Sequence, residues 1–116
     1  MDKKTITIDP DIHYRVLNVL EEEPEMTQRE LSKRLGVSLG SVNYCIKALA
    51  QIGHIKVQNF NENRDKSAYL YILTPRGIKE KADLTSAFLK RKLNEYHQLQ
   101  VEIESIQSKI SQKKQN

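Results

Sequence analysis

Apolar residues recur at helical spacing in three short stretches and one long one, and they alternate with polar residues in between. Ile12, Val16, Leu17, Val19 and Leu20 form the first stripe. Asp9-Pro10 precedes it as an N-cap followed by Pro at the first helical position, and Glu21, Glu22, Glu23 and Pro24 end it. Thr27-Gln28-Arg29-Glu30 is a capping box and opens a second helix, with Leu31 and Leu35 facing inward. Gly36 can take the left-handed conformation that closes that helix. Ser38 is the N-cap expected for a third helix running to about Ile52, closed by Gly53.

The pattern then changes period. Ile55 and Val57 alternate with Lys56 and Gln58, and Leu70 and Ile72 alternate with Tyr69, Tyr71 and Leu73. Two β-prone runs around the charged tip NENRDK predict a β-hairpin with a long loop. Thr5 to Ile8 also alternates but is too short to predict a strand. Thr74-Pro75 starts a last helix whose pattern continues to about Ser111, a rod on the order of 50 Å long. A core this small cannot cover all of it. Its first turns, through Ile78, Ala82, Leu84 and Phe88, are expected to pack on their own domain.

Two helices joined by a three-residue turn, followed by a hairpin, read as a winged helix-turn-helix. Val37 is then the apolar residue of the turn that plugs the gap between the helices. A step of about 100° per residue puts Val42, Ile46 and Leu49 on the core side of the third helix. Gly40, Asn43, Tyr44, Lys47 and Gln51 fall on the other side. Their chemistry suits the major groove. Asn pairs with adenine in bidentate fashion, Lys donates to guanine or phosphate, and Ser and Tyr hydroxyls reach phosphates. Ser38, Gly40, Ser41, Asn43, Tyr44 and Lys47 are therefore the expected groove residues. Arg29 or Ser32 can touch the backbone from the second helix, and Arg64 and Lys66 on the wing tip can enter the minor groove or grip phosphates.

Charge distribution agrees with a polyanionic partner. Residues 1–26 hold three basic and seven acidic residues, a net −4. Residues 27–54 hold four and one, 55–82 six and three, and 83–116 six and four, so the net +4 of the 116 residues lies in the middle and the tail. The 38% hydrophobic content suits one modest core with a solvated helical extension. Neither a membrane-length apolar run nor a secretory leader is present, and Cys45 is the only cysteine, so a cytoplasmic location is expected. Cys45 lies beside the core stripe and is expected to fill space, with a thiol switch as the alternative. His13, His54 and His97 have no ligand-like spacing, no phosphate loop or nucleophile–base motif occurs, and neither enzymatic activity nor a metal or other cofactor is expected.

The tail carries its own signal. Leu89, Lys92, Tyr96, Leu99, Ile103, Ile106 and Ile110 are spaced 3, 4, 3, 4, 3, 4, a heptad seam with Lys92 as its weak point. A homodimer through Leu89, Tyr96, Leu99, Ile103, Ile106 and Ile110 is expected, with parallel and antiparallel pairings both open. Such a dimer would present two recognition helices to half-sites about 34 Å, or a multiple of it, apart. The division expected is residues 1–76 as the DNA-binding domain and 77–116 as the dimerisation helix.

LSKRLGVSLGSVNYCIKALAQIGHI followed by NRDKSAYLYILTPRG resembles the MarR-type winged-helix transcriptional regulators of bacteria. Leu73, Thr74, Pro75, Arg76 and Gly77 match the family's strand ending, and Arg64, Asp65 and Lys66 match its charged wing tip. The match spans roughly residues 12 to 80. Glu62 and Ser67 depart from the usual Asp and Arg, and one long helix replaces the usual two after the wing. The whole-chain pattern is similar to a subgroup associated with exopolysaccharide gene clusters. The resemblance implies a regulator, with repression by occlusion as the expected mode. It does not identify a small-molecule effector. The contrasting reading is a winged helix used as a protein-docking module without sequence-specific DNA binding.

Overall fold

The computed structural model describes residues 8–59 and 69–115. Residues 5–7 of the alternating stretch, and the wing tip with Arg64, Asp65 and Lys66, lie outside the described residues. The elements run α1 (Pro10–Glu22), α2 (Gln28–Leu35), α3 (Leu39–Gln51), β1 (Ile55–Asn59), β2 (Tyr69–Leu73) and α4 (Pro75–Gln115). This is a winged helix-turn-helix with a two-stranded antiparallel hairpin and a long C-terminal helix. The chain divides into two compact units, Met1–Thr85 and Ser86–Asn116.

The caps act as their residue types dictate. Asp9 Oδ1 accepts from the N–H groups of Asp11 and Ile12 at 2.9 and 3.2 Å. Thr27 Oγ1 accepts from Glu30 N at 3.0 Å while the Glu30 carboxylate accepts from Thr27 N at 3.1 Å, a complete capping box. The bond from Thr27 N to the carboxylate, and then the Thr27 hydroxyl beside it, hold the Glu30 carboxyl below the usual carboxylate range. Gly36 ends α2 at φ 68°, the left-handed region where a side chain would be strained.

The core of the first unit joins Val16, Leu17 and Leu20 of α1, Leu31 of α2, and Val42, Cys45, Ile46 and Leu49 of α3. Ile55 and Tyr71 close it from the hairpin. The register pairs Ile55 with Leu73 and Val57 with Tyr71, so these four share a face. Val57 is nonetheless exposed. Tyr71 N donates to Pro24 O at 2.9 Å, which fastens β2 to the α1–α2 connection. Cys45 is a core residue, and burial pushes its thiol up to about 12.

The base of α4 is docked through its first turn. Thr74 N donates to His54 O at 3.0 Å, Thr74 Oγ1 donates to Gly53 O at 2.6 Å and accepts from Gly77 N at 3.1 Å. Gly77 is buried, and a Cβ there would lie 2.0 Å from the His54 carbonyl oxygen. The inward face of α4 in this unit therefore includes Gly77 and Leu84, the latter packed on the core. Ile78 and Ala82, expected to pack inward, are exposed. The close approach at Gly77 sets the rotation of the helix, and Ile78 and Ala82 lie roughly 100° and 140° round it. Lys81 also pairs with Glu21 of α1. Replacing Gly77 with Ala must move backbone against backbone. The expected cost is roughly 1–3 kcal/mol, read as a lower midpoint in urea unfolding at unchanged m-value.

In the second unit Leu89, Leu93, Tyr96, Leu99, Ile103, Ile106 and Ile110 are all exposed. The predicted seam thus runs along α4 as an open apolar stripe. Lys92 pairs with Glu95 at 3.1 Å, and its ammonium lies 5.2 Å from the centre of the Phe88 ring. Among the described residues no helix is long and apolar enough to cross a membrane.

Candidate nucleic-acid interface

The α2–α3 connection is built around Ser32. Its carbonyl accepts from Gly36 N at 3.0 Å and Val37 N at 3.2 Å, and its hydroxyl donates to Val37 O at 2.5 Å. Val37 is partly buried and packs against the core, the role expected of it. The partly buried Ser32 is thus committed to the turn that orients α3.

Ser38 caps α3, its Oγ accepting from Ser41 N at 3.0 Å and donating to Ser41 Oγ at 2.9 Å. No acidic residue occupies the first turn of α3, so the helix itself does not cancel its N-terminal partial positive charge, which suits a phosphate, while Asp9 of the α1 cap lines the same cleft as Ser38, Gly40 and Ser41. Gly40 is exposed there, with Ser38 Oγ 3.9 Å from where its Cβ would be. Lys47 is exposed and Tyr44 is 52% exposed, while Val42, Ile46 and Leu49 are buried as the helical step demands. Arg29 on α2 is exposed as well. The structure thus brings Ser38, Gly40, Ser41, Asn43, Tyr44 and Lys47 onto one element. Arg64 and Lys66 fall outside the described residues.

Asn43 is partly buried, and its Nδ2 donates to Gln28 Oε1 at 3.1 Å. Gln28 Nε2 in turn donates to the Tyr71 hydroxyl at 3.3 Å. This relay links α3, the first residue of α2 and the wing strand. It fixes the rotamer of Asn43 and leaves its carbonyl and second N–H for another partner. Sequence reading missed Gln28, because an amide beside a capping threonine signals nothing until the helices cross.

The fold and this helix define a winged helix-turn-helix protein, and residues 9–56 match the family described as winged helix-turn-helix DNA-binding. No curated protein sequence matches the chain. Solved structures that share its fold include a MarR transcriptional regulator from Methanosarcina mazei Go1, at 24% identity and TM-score 0.58, over 73% of this chain and 59% of that one. The adhesin competence repressor of Streptococcus pyogenes aligns at 20% identity and TM-score 0.62, over 83% and 68%. Streptococcus pneumoniae FabT in complex with DNA aligns at 24% and 0.55, over 72% and 56%. The resemblance to MarR-type regulators drawn from the sequence holds at the level of fold. The chain spans less than two thirds of the length of the first of these structures.

Proposed function

We propose that the chain is a homodimeric transcriptional regulator that reads duplex DNA by sequence, in the cytoplasm. The observation that carries this is the capped, acid-free start of α3 with Gly40, Tyr44 and Lys47 turned to solvent, inside a segment matching a DNA-binding family. Asn43, held by Gln28, reads a base edge, and Lys47 and Tyr44 reach base or phosphate. Ser38 and Ser41 sit at the helix start against a phosphate, and the exposed Arg29 near the start of α2 touches the backbone. Ser32 acts by shaping the turn. Arg64 and Lys66 serve the wing contact. In this reading residues 1–76 bind DNA and residues 77–116 join two copies through the exposed stripe, placing two recognition helices on successive half-sites.

Support for a regulator also comes from the structures of like fold, one a MarR transcriptional regulator and another, FabT, in complex with DNA. Repression by occlusion is the mode proposed, and control of exopolysaccharide genes rests on the whole-chain resemblance alone. A mobility shift on duplex from upstream of the chain's own gene tests the reading. Binding that survives excess unrelated duplex and weakens steeply with salt supports it. Equal affinity for every duplex points instead to a docking module.

A further inference from the structure

The fold gathers three residues that have no relation in sequence. His13 of α1, His54 of the α3–β1 turn and Glu80 of α4 each offer one ligand atom within 4.8 Å of the others. The two imidazoles stack with centroids 5.6 Å apart and planes 17° from parallel. His13 is only 8% exposed. Its Nε2 and the Nδ1 of His54 are buried without a hydrogen-bond partner among the described residues. Native interiors rarely leave such atoms unsatisfied, because burial strips them of water and returns nothing. A pair of them in one stack, beside a carboxylate, is unlike ordinary core packing.

We propose that His13, His54 and Glu80 form a binding site for a divalent transition-metal ion of the zinc class. Two imidazoles and one carboxylate suit that class, with a fourth position for water. Bonds of about 2.0–2.1 Å set tetrahedral donors about 3.4 Å apart, so side-chain rotations on the order of 1 Å close the cluster. The backbone around it is already held. Thr74 N fixes the His54 carbonyl, Gly77 permits the close approach of α4, and the Lys81–Glu21 pair holds α4 to α1 one residue beyond Glu80. Burial, and then the neighbouring His54 ring, lower the pKa of His13 against the opposing pull of Glu80. That favours the neutral imidazole that ligates metal. A bound ion would tie α1, the end of the recognition helix and the base of α4 together.

The test uses the tag-free chain, stripped with chelator and titrated with Zn2+ and, separately, Co2+. One ion per chain, a rise in melting temperature, and visible Co2+ bands of tetrahedral type are expected. Glu80→Gln, at a partly buried helix position, and His54→Gln should each weaken binding at least tenfold and abolish the rise in melting temperature. Failure of the native chain to bind, or equal binding by both variants, overturns the site and leaves the stack as packing only.

A separate observation, the charge pattern of the second unit, bears on how two copies pair, and it rests on the homodimer proposed above. With Leu89 at an a position, Glu95, Glu102 and Lys109 occupy g and Leu93, Gln100 and Gln107 occupy e. A parallel pair sets Lys92 against Lys92 in the seam and Lys109 against Lys114 on its flank. We infer that the helices pair antiparallel, with Lys109 of each copy facing Glu95 of the other. Tyr96 then packs on Ile106 and Leu99 on Ile103. The stems of Lys92 and Lys113 lie along Ile110 and Leu89, with their ammonium groups reaching water. One exposed Glu102–Glu102 approach is the cost. Sliding one heptad in one direction sets Glu95 against Glu102, and in the other direction drops Leu89 from the seam.

Leu99→Cys and Ile103→Cys, each placed on a Cys45→Ala background so that every chain holds one cysteine, test this. Antiparallel pairing predicts a disulfide dimer when the two chains are refolded together and none from either alone. Self-crosslinking of each alone, or no crosslink in the mixture while the native chain sediments as a dimer, overturns the pairing. A native chain that sediments as a monomer overturns the homodimer itself.

Discussion

A chain carrying Ile103→Asp and Ile106→Asp is expected to sediment as a monomer and to lose most of its affinity for DNA. Both residues are exposed on α4, so nothing in the fold of a single chain depends on them. Between two copies they become the centre of the seam. Removing each isoleucine forfeits roughly 2–5 kcal/mol when the site is fully covered, and a carboxylate left there must be desolvated without a partner. Four such changes per dimer exceed what a seam of about three heptads supplies. DNA binding suffers through linkage, because the second half-site is no longer tethered. Effective-concentration arguments put that loss on the order of 10²–10⁴-fold. Circular dichroism of the variant should still report a folded helical protein. A dimer by sedimentation would mean that copies join elsewhere.

The double variant Lys47→Glu with Arg64→Glu is expected to abolish specific DNA binding while leaving the dimer intact. Lys47 is exposed on α3, so reversing its charge costs the core nothing. In a dimer the two changes replace four cations with four anions among the residues proposed to meet the phosphates. The slope of log affinity against log salt shrinks by roughly 0.9 for each phosphate that is no longer neutralised. A merely destabilised protein would not show that change of slope at constant melting temperature. Unchanged binding would remove α3 and the wing from the interface and favour the docking reading.

The local signals in this chain translate directly into structure. Asp9-Pro10, the Thr27–Glu30 box and Ser38 each satisfy free N–H groups within a few residues, so they work whatever the rest of the chain does. The helical step likewise separates Lys47 and Tyr44 from Ile46 and Leu49 without reference to tertiary contacts. What stayed hidden depends on how elements dock. Ile78 reads as an inward residue by hydrophobicity, yet Gly77 faces the fold because only a residue without Cβ can meet the His54 carbonyl. Gln28 orients Asn43 across fifteen positions. His13, His54 and Glu80 look scattered in sequence and converge only once α1, the α3–β1 turn and α4 are packed. Cys45 lies beside the apolar stripe on a helical wheel, and its burial follows from α3 being covered over a broad face.

Selection of bound duplexes from a random-sequence pool tests the central claim most directly, because it asks the chain to choose. A homodimer reading DNA through α3 should enrich a two-fold symmetric sequence with half-sites separated by one helical turn, about 10 base pairs, or a multiple of it. Lys47→Glu should fail to enrich the same sequence. A pool that emerges with no preferred sequence, although the protein is folded and dimeric, would contradict the reading of this chain as a sequence-specific regulator.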